Sequence, residues 1–117
     1  MNIETLREYC INKKGVTESF PFDETTLVLK VLNKMFALTD LEKELSISLK
    51  CNPEKAIYLR ETYNTVKPAY HMNKKNWNTV KIDGTISEKI IKEWINDSYN
   101  LVVEKMTKKD KQLLDKM

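Results

Sequence analysis

The chain has 117 residues, of which 41% are hydrophobic and 32% are charged, as in a folded globular protein and unlike a disordered one. Its formal net charge of +3 is too small to indicate nucleic-acid binding by itself. No run approaches the ~18 apolar residues of a membrane span, and the N-terminus lacks the apolar core of a signal peptide, so we predict a single cytoplasmic domain over residues 1–117.

The N-terminal part of the chain predicts a helix followed by a loop. Residues 2–12 carry apolar side chains at helical spacing, and Asn2 is a favourable N-cap. A loop is predicted over residues 16–24, because Pro21 interrupts regular structure there.

Three strands are predicted next, over residues 26–32, 35–38 and 45–51. The first two are joined by Asn33-Lys34, since asparagine tolerates the positive φ of a tight hairpin turn. The third alternates strictly between apolar and polar residues, which predicts one buried face and one solvent-facing side. The solvent-facing residues are expected to be Ser46, Ser48 and Lys50.

The second half predicts a helix over residues 53–63, two hairpin strands, a long helix that begins near Thr85, and a short helix over residues 107–117. Helices gathered against one face of an antiparallel sheet form a two-layer sandwich. The predicted fold class is therefore α+β.

The two cysteines, Cys10 and Cys51, form no CxxC pair that would favour a zinc site. We predict two free thiols, since cysteine behaves as a small hydrophobic residue when it lies on an apolar face. No metal ion and no other cofactor is expected.

The most informative stretch is a basic hairpin, with predicted strands over residues 69–72 and 77–82 joined by residues 73–76. Residues 67–82 hold four lysines and the only histidine, and no acidic residue. A basic surface that also carries aromatic and amide groups suits a polyanion. The candidate nucleic-acid-binding residues are Lys67, Tyr70, His71, Lys74, Lys75, Asn76, Trp77, Asn78 and Lys81.

Alternation along the second hairpin strand predicts that Trp77 lies on its outer face together with Lys81. An exposed indole in this position would be available to stack on an unpaired base, a contact worth about 1–3 kcal/mol. Structural alternatives remain for the other groups: lysines at a hairpin tip discourage edge pairing, asparagines beside a turn bond their own backbone, and His71 has no partner nearby in the sequence for metal binding or catalysis.

Four motifs carry a resemblance to a known family. They are GVTESFPF at residues 15–22, SLKCNPE at 48–54, PAYHMNKKNWNTV at 68–80 and DSYNLV at 97–102. They follow one another in order along the chain, and the chain resembles the MmcQ/YjbR family of small bacterial proteins over nearly its whole length. The resemblance implies a CyaY-like α/β fold and a DNA-binding role through a double wing of hairpins.

We therefore hypothesise a DNA-binding protein of weak sequence specificity, acting as a monomer or weak homodimer. The alternative is a non-enzymatic adaptor that binds a protein or a ligand in a groove framed by the hairpin and Phe20-Pro21-Phe22. No glycine-rich phosphate loop, paired carboxylates or Ser-His-Asp set is apparent, so no enzymatic activity is expected. A metal carrier, suggested by fold analogy, would need an acidic helix ridge, and the first helix offers only Glu4 and Glu8.

Overall fold

A computed structural model of the chain describes residues 1–70 and 72–117. These residues form α1 (Ile3–Ile11), β1 (Val16–Ser19), β2 (Thr26–Val31), β3 (Lys34–Asp40), β4 (Ser46–Lys50), α2 (Pro53–Thr62), β5 (Val66–Pro68), β6 (Trp77–Lys81), α3 (Glu88–Glu104) and α4 (Lys108–Asp115). Among these residues, no helix combines the length and apolarity that crossing a membrane requires.

The described strands form one antiparallel sheet in the order β1-β2-β3-β4-β6-β5. Its core face packs against the helices, which contribute Leu6 of α1, Leu59 of α2 and Ile95 of α3 to the same apolar cluster as Ile47 of β4. Burial of this shared face is the main favourable term in folding. The predicted two-layer α+β sandwich, with helices on one face of an antiparallel sheet, is confirmed.

The predicted starts of the first two helices are confirmed. The Asn2 side chain accepts the backbone N–H of Thr5 at 2.9 Å, and the Asn52 side chain accepts that of Glu54 at 3.0 Å. The N-cap of α3 is Ser87 and not Thr85, because the Thr85 hydroxyl instead donates to the carboxylate of Asp83 at 2.6 Å. Each cap satisfies N–H groups that have no partner within the helix.

The β2–β3 hairpin turns at Leu32 and Asn33, whose φ angles are 45° and 70°. Positive φ at both central residues is the geometry of a type I′ turn, which matches the twist of the flanking strands. The predicted turn thus lies one residue earlier than Asn33-Lys34, and Lys34 becomes the first residue of β3.

The antiparallel register separates the strand termini into two ends of the sheet. At one end, Val31 pairs with Lys34 and Lys50 pairs with Trp77. We call it the lysine end, after Lys34, Lys50, Lys74, Lys75 and Lys105. At the other end, β2 begins, β3 ends, β4 begins and β6 ends. We call it the acidic end, after Asp23, Glu24, Asp40, Glu42, Glu44 and Asp83.

Ser98 ties α3 to the lysine end of the sheet. It is fully buried, donates its hydroxyl to the carbonyl of Phe36 at 2.6 Å and accepts the backbone N–H of Lys50 at 2.8 Å. The register between β3 and β4 ends at the pair of Ala37 and Leu49, so this hydroxyl bridges two strands just where their own pairing stops. A serine on an apolar helical stripe is here a structural hydrogen-bonding group.

Replacing Ser98 with alanine should lower the free energy of unfolding by about 1–3 kcal/mol, because it leaves a buried carbonyl and a buried N–H without a partner. Urea unfolding followed by circular dichroism measures this change. The control is Asn100→Ala, at an exposed position of the same helix. Equal stability of the two variants would contradict a bridging role for the hydroxyl.

The loop predicted over residues 16–24 is wrong in its first part, because Val16–Ser19 is strand β1. This edge strand pairs with β2 from Val16 opposite Val31 to Ser19 opposite Val28. Its Glu18 forms an ion pair with Arg7 of α1, which also supports the short strand from the helix side. Only one of its four residues is apolar, so the sequence carries a weak strand signal there.

The first strand of the basic hairpin also differs from the prediction. It is β5, Val66–Pro68; of the predicted strand over residues 69–72, Ala69, Tyr70 and Met72 lie in the connection between β5 and β6, and His71 lies outside the described residues. Buried Val66 pairs with Val80 and joins the core. Pro68 is tolerated because β5 lies at the edge of the sheet, where a missing N–H need not interrupt a ladder.

The helix-free face of the sheet is less open than the alternation in β4 predicted. Ser48 is 9% exposed, and its hydroxyl lies 2.7 Å from that of Thr79 on β6. The physical reason is that both loops beside this face contribute side chains above it, Phe22 from one side and Tyr70 and Met72 from the other.

Candidate nucleic-acid interface

The lysine tip of the hairpin, Lys74 and Lys75, is held by backbone contacts. The Asn73 side chain accepts the N–H of Lys75 at 3.0 Å, and the Asn73 carbonyl accepts the N–H of Asn76 at 3.1 Å. The guanidinium of Arg60, on α2, donates to the carbonyl of Lys74. Both lysine side chains are exposed, so this hydrogen-bonded turn presents two ammonium groups to solvent.

The predicted outward position of Trp77 is wrong. Trp77 is 6% exposed and lines a cavity together with Met35 of β3 and Met106 beyond α3. Trp77 is the first residue of β6, opposite Lys50, where residues from several elements can cover it. Alternation along one strand takes no account of such neighbours. Stacking of this indole on an unpaired base therefore carries no part of the site.

Asn78 is placed in a structural role. It is 2% exposed, its side-chain oxygen accepts the Nε–H of Arg60 at 2.6 Å, and its side-chain nitrogen donates to the carbonyl of Ala56 at 3.2 Å. The amide thus joins β6 to α2 and, because it is buried, is not available to contact a base edge. Asn76 is half-buried, and its backbone carbonyl accepts the N–H of Cys51 at 2.6 Å.

The remaining predicted site residues are not gathered in one place. Lys81 lies at the acidic end, 3.0 Å from the carboxylate of Glu44, and this ion pair raises the pKa of Lys81. Lys67 is exposed on edge strand β5, opposite Thr79. Tyr70 is 77% exposed beside the helix-free face. His71 lies outside the described residues.

Three lysines that the sequence did not mark complete the site. Lys34, Lys50 and Lys105 line one cavity of about 340 Å³ at the lysine end. They come from the start of β3, the end of β4 and the C-cap of α3. The available signal was that each lysine lies near the boundary of a predicted helix or strand: Lys34 in the predicted turn, Lys50 before the second helix and Lys105 before the last one. In an antiparallel sheet such boundaries can meet at a common end.

The five lysines of the lysine end are unpaired, since none of them is in an ion pair among the residues that the structure describes. The pKa of Lys50 is lowered, first by partial burial and then by the charges of Lys105 and Lys34. Glu54 and Glu104 are the nearest acids in sequence to this end, and neither lines its cavity. The lysine end is therefore a concentration of unneutralised positive charge.

A second cavity, of about 400 Å³, lies on the helix-free face. Its floor includes the hydroxyls of Ser48 and Thr79, and its walls include the exposed rings of Phe22 and Tyr70. The predicted groove between the hairpin and the Phe20-Pro21-Phe22 loop thus corresponds to a real concavity, with Phe22 as the contributing ring of that loop.

Both cysteines are free thiols, as predicted. Cys10 is fully buried, and burial raises the pKa of its thiol to about 12, which makes it a poor nucleophile. Within residues 1–70 and 72–117, no group of three His, Cys, Asp or Glu side chains is placed to hold a metal ion.

Fold and site together define a small two-layer α+β protein whose antiparallel sheet ends in a cluster of lysines. The chain belongs to the YjbR family, whose model matches residues 11–101. This confirms the family resemblance drawn from the four sequence motifs.

Relatives and solved structures agree with this assignment. The chain is 36% identical to the uncharacterized protein YbdF of Escherichia coli O157:H7, over 93% of this chain and 90% of that protein. It is 33% identical to the uncharacterized protein YjbR of Escherichia coli K12, over 97% and 98% of the two chains. The crystal structure of Deinococcus radiodurans protein DR2400 superposes with a TM-score of 0.91 at 40% identity, covering 97% of this chain and 88% of that one.

Proposed function

We propose that this protein binds nucleic acid without catalysing a reaction, and that the lysine end is the contact surface. The observation that carries the proposal is the separation of charge along the strands. Five lysines without ion pairs among the described residues lie at one end, whereas at the other end Lys43 is paired with Asp40 and Lys81 with Glu44. A polyanion would approach this dipolar molecule with the lysine end first.

The positions of the lysines suit a nucleic-acid backbone. Lys34 begins the strand that leaves one hairpin turn, and Lys74 and Lys75 form the tip before β6, so two hairpins present charge at the same end. Lysine contacts a phosphate as a point charge and tolerates variation in its position. The two hairpins therefore supply phosphate contacts at one end of the sheet, in the manner that the double-wing resemblance implies.

Weak sequence specificity follows from the same geometry. Base edges are read by amides, guanidinium groups and aromatic rings that reach a groove. Here Asn78 is engaged by Arg60 and Ala56, and Trp77 is buried. Of the predicted site residues, those that remain exposed at the lysine end are Lys74 and Lys75, whose ammonium groups contact phosphates and carry no sequence information.

Fluorescence anisotropy with labelled duplex and single-stranded oligonucleotides tests this function. We expect dissociation constants in the micromolar range or weaker at low salt. The logarithm of the binding constant should fall with the logarithm of the salt concentration with a slope of about −3 to −4.5, corresponding to three to five phosphate contacts on a duplex. Two duplexes of unrelated sequence should bind equally well. Absence of binding at low salt would contradict the proposal.

The second cavity favours one other candidate, a non-enzymatic adaptor. Phe22 is 64% exposed and Tyr70 is 77% exposed, and both rings flank a concavity with a hydroxyl-bearing floor. Exposed aromatic rings beside a cavity of this size are typical of a ligand or peptide site. Two results together would favour this candidate over the first: no oligonucleotide binding at low salt, and a partner that stays bound after nuclease treatment.

A further inference from the structure

The cavity at the lysine end differs from the exposed tip in being a built site. Its three lysines reach it from separate elements, and its other walls are apolar, formed in part by the indole of Trp77 and the side chains of Met35 and Met106. Within the described part of the chain, no carboxylate lines it. Its volume of about 340 Å³ falls at the small end of ligand-binding pockets.

Placing three ammonium groups around this cavity is energetically unfavourable without an anion between them. Lys50 is half-buried, and its ammonium group is disfavoured both by partial loss of water and by two neighbouring positive charges. Apolar walls lower the local dielectric constant, so repulsion among the lysines is stronger here than at the solvent-exposed tip. The same walls would strengthen attraction to a negative group placed between the lysines.

We propose that Lys34, Lys50 and Lys105 form a phosphate-binding site, with Trp77 as its apolar wall. The ligand is a phosphate group with two negative charges or more, or a phosphodiester of a nucleic-acid backbone that enters the cavity. Three ammonium groups supply charge and several N–H donors for its oxygens. The inference deepens the proposed function. It rests on that function only where a nucleic acid supplies the phosphate.

Trp77 gives this site its own optical signal. The chain has two tryptophans, and replacing Trp94 with phenylalanine leaves Trp77 alone. Phenylalanine at this position keeps an aromatic ring against Tyr63, whose ring centroid lies 5.2 Å from that of Trp94. The Trp94→Phe protein is titrated with inorganic pyrophosphate at constant ionic strength, and the fluorescence of Trp77 is followed.

We expect a saturable change in Trp77 fluorescence with pyrophosphate, and no such change with chloride at equal ionic strength. Adding Lys50→Gln should weaken pyrophosphate binding about tenfold or more, because a hydrogen bond between charged groups is lost. Lys105→Gln should weaken pyrophosphate binding by a similar factor. Because Lys105 is exposed, this variant should fold even if Lys50→Gln does not. The matched control, Lys89→Gln, removes one exposed lysine in the first turn of α3, away from the cavity, and should leave pyrophosphate binding unchanged.

The outcomes separate this inference from the proposed function. A DNA duplex that displaces pyrophosphate identifies the backbone as a source of the phosphate. Pyrophosphate binding that depends on Lys50, in a protein that binds no DNA, supports the site for small phosphorylated molecules and rejects the nucleic-acid function. DNA binding without a Trp77 response to pyrophosphate, or with a response that survives both Lys50→Gln and Lys105→Gln, overturns the site and leaves the nucleic-acid function standing.

Discussion

Replacing both Lys74 and Lys75 with glutamine is expected to weaken binding to a DNA duplex about 60-fold at about 0.1 M salt. Each phosphate contact contributes a slope of about −0.9 to the salt dependence, which corresponds to roughly an eightfold effect on the binding constant at that salt concentration. Two lost contacts multiply to about 60-fold, and the slope itself should become shallower by about 1.8. Anisotropy titrations of the two proteins over a salt series measure both quantities.

The double substitution should leave the fold intact. Both side chains are exposed, and neither is in an ion pair among the described residues. The tip is held through the backbone, by the Asn73 side chain and by the guanidinium of Arg60 on the carbonyl of Lys74. A thermal melting curve like that of the parent protein would establish that any loss of affinity is electrostatic.

The matched control removes the same amount of charge at the acidic end. Lys43 and Lys81 are exposed there and lie 3.9 Å from Asp40 and 3.0 Å from Glu44. Lys43→Gln with Lys81→Gln should change duplex affinity much less than the tip substitution, because these lysines are already neutralised locally. Equal losses from the two pairs would mean that net charge governs binding, and the lysine end would lose its special role.

Local sequence signals predicted most of the fold. Asn2 and Asn52 were recognised as caps because their side chains act on N–H groups within three residues. Register and burial across strands involve distant residues, and the errors occur there. The prediction for β5 is shifted along the chain from its actual position at Val66–Pro68. The pairing of β5 with β6 at the edge of the sheet decides this position, and no local pattern specifies it.

The candidate site was harder to predict than the fold. Lys74 and Lys75 were identified because the tip is contiguous in sequence. Lys34, Lys50 and Lys105 are separated by up to 71 residues and meet because β3 pairs with β4 and α3 runs back along the sheet. Alternation also misplaced Trp77, since exposure at a strand terminus is decided by residues of neighbouring elements, such as Met35 and Met106.

Replacing Phe36 with alanine should lower the free energy of unfolding by about 3–5 kcal/mol, the largest stability effect expected here. Phe36 is fully buried in the centre of β3, and its ring meets that of Tyr99 edge-to-face with centroids 5.4 Å apart. Alanine would remove the ring contact and leave a cavity under α3 that the sheet can fill only in part. Urea unfolding gives the change in free energy directly.

Phe36→Leu is the control for this effect, because leucine keeps much of the apolar volume and should cost markedly less. The packing of Phe36 also bears on function. Its carbonyl accepts a hydrogen bond from the Ser98 hydroxyl, which in turn accepts the backbone N–H of Lys50. A domain of this size has a stability of about 5–15 kcal/mol, so a loss of about 3–5 kcal/mol leaves the alanine protein folded over most of that range, with a loosened lysine end. Its pyrophosphate affinity should then fall more than that of the leucine protein; a similar affinity in both would show that the lysine cavity is positioned independently of the packing beneath α3.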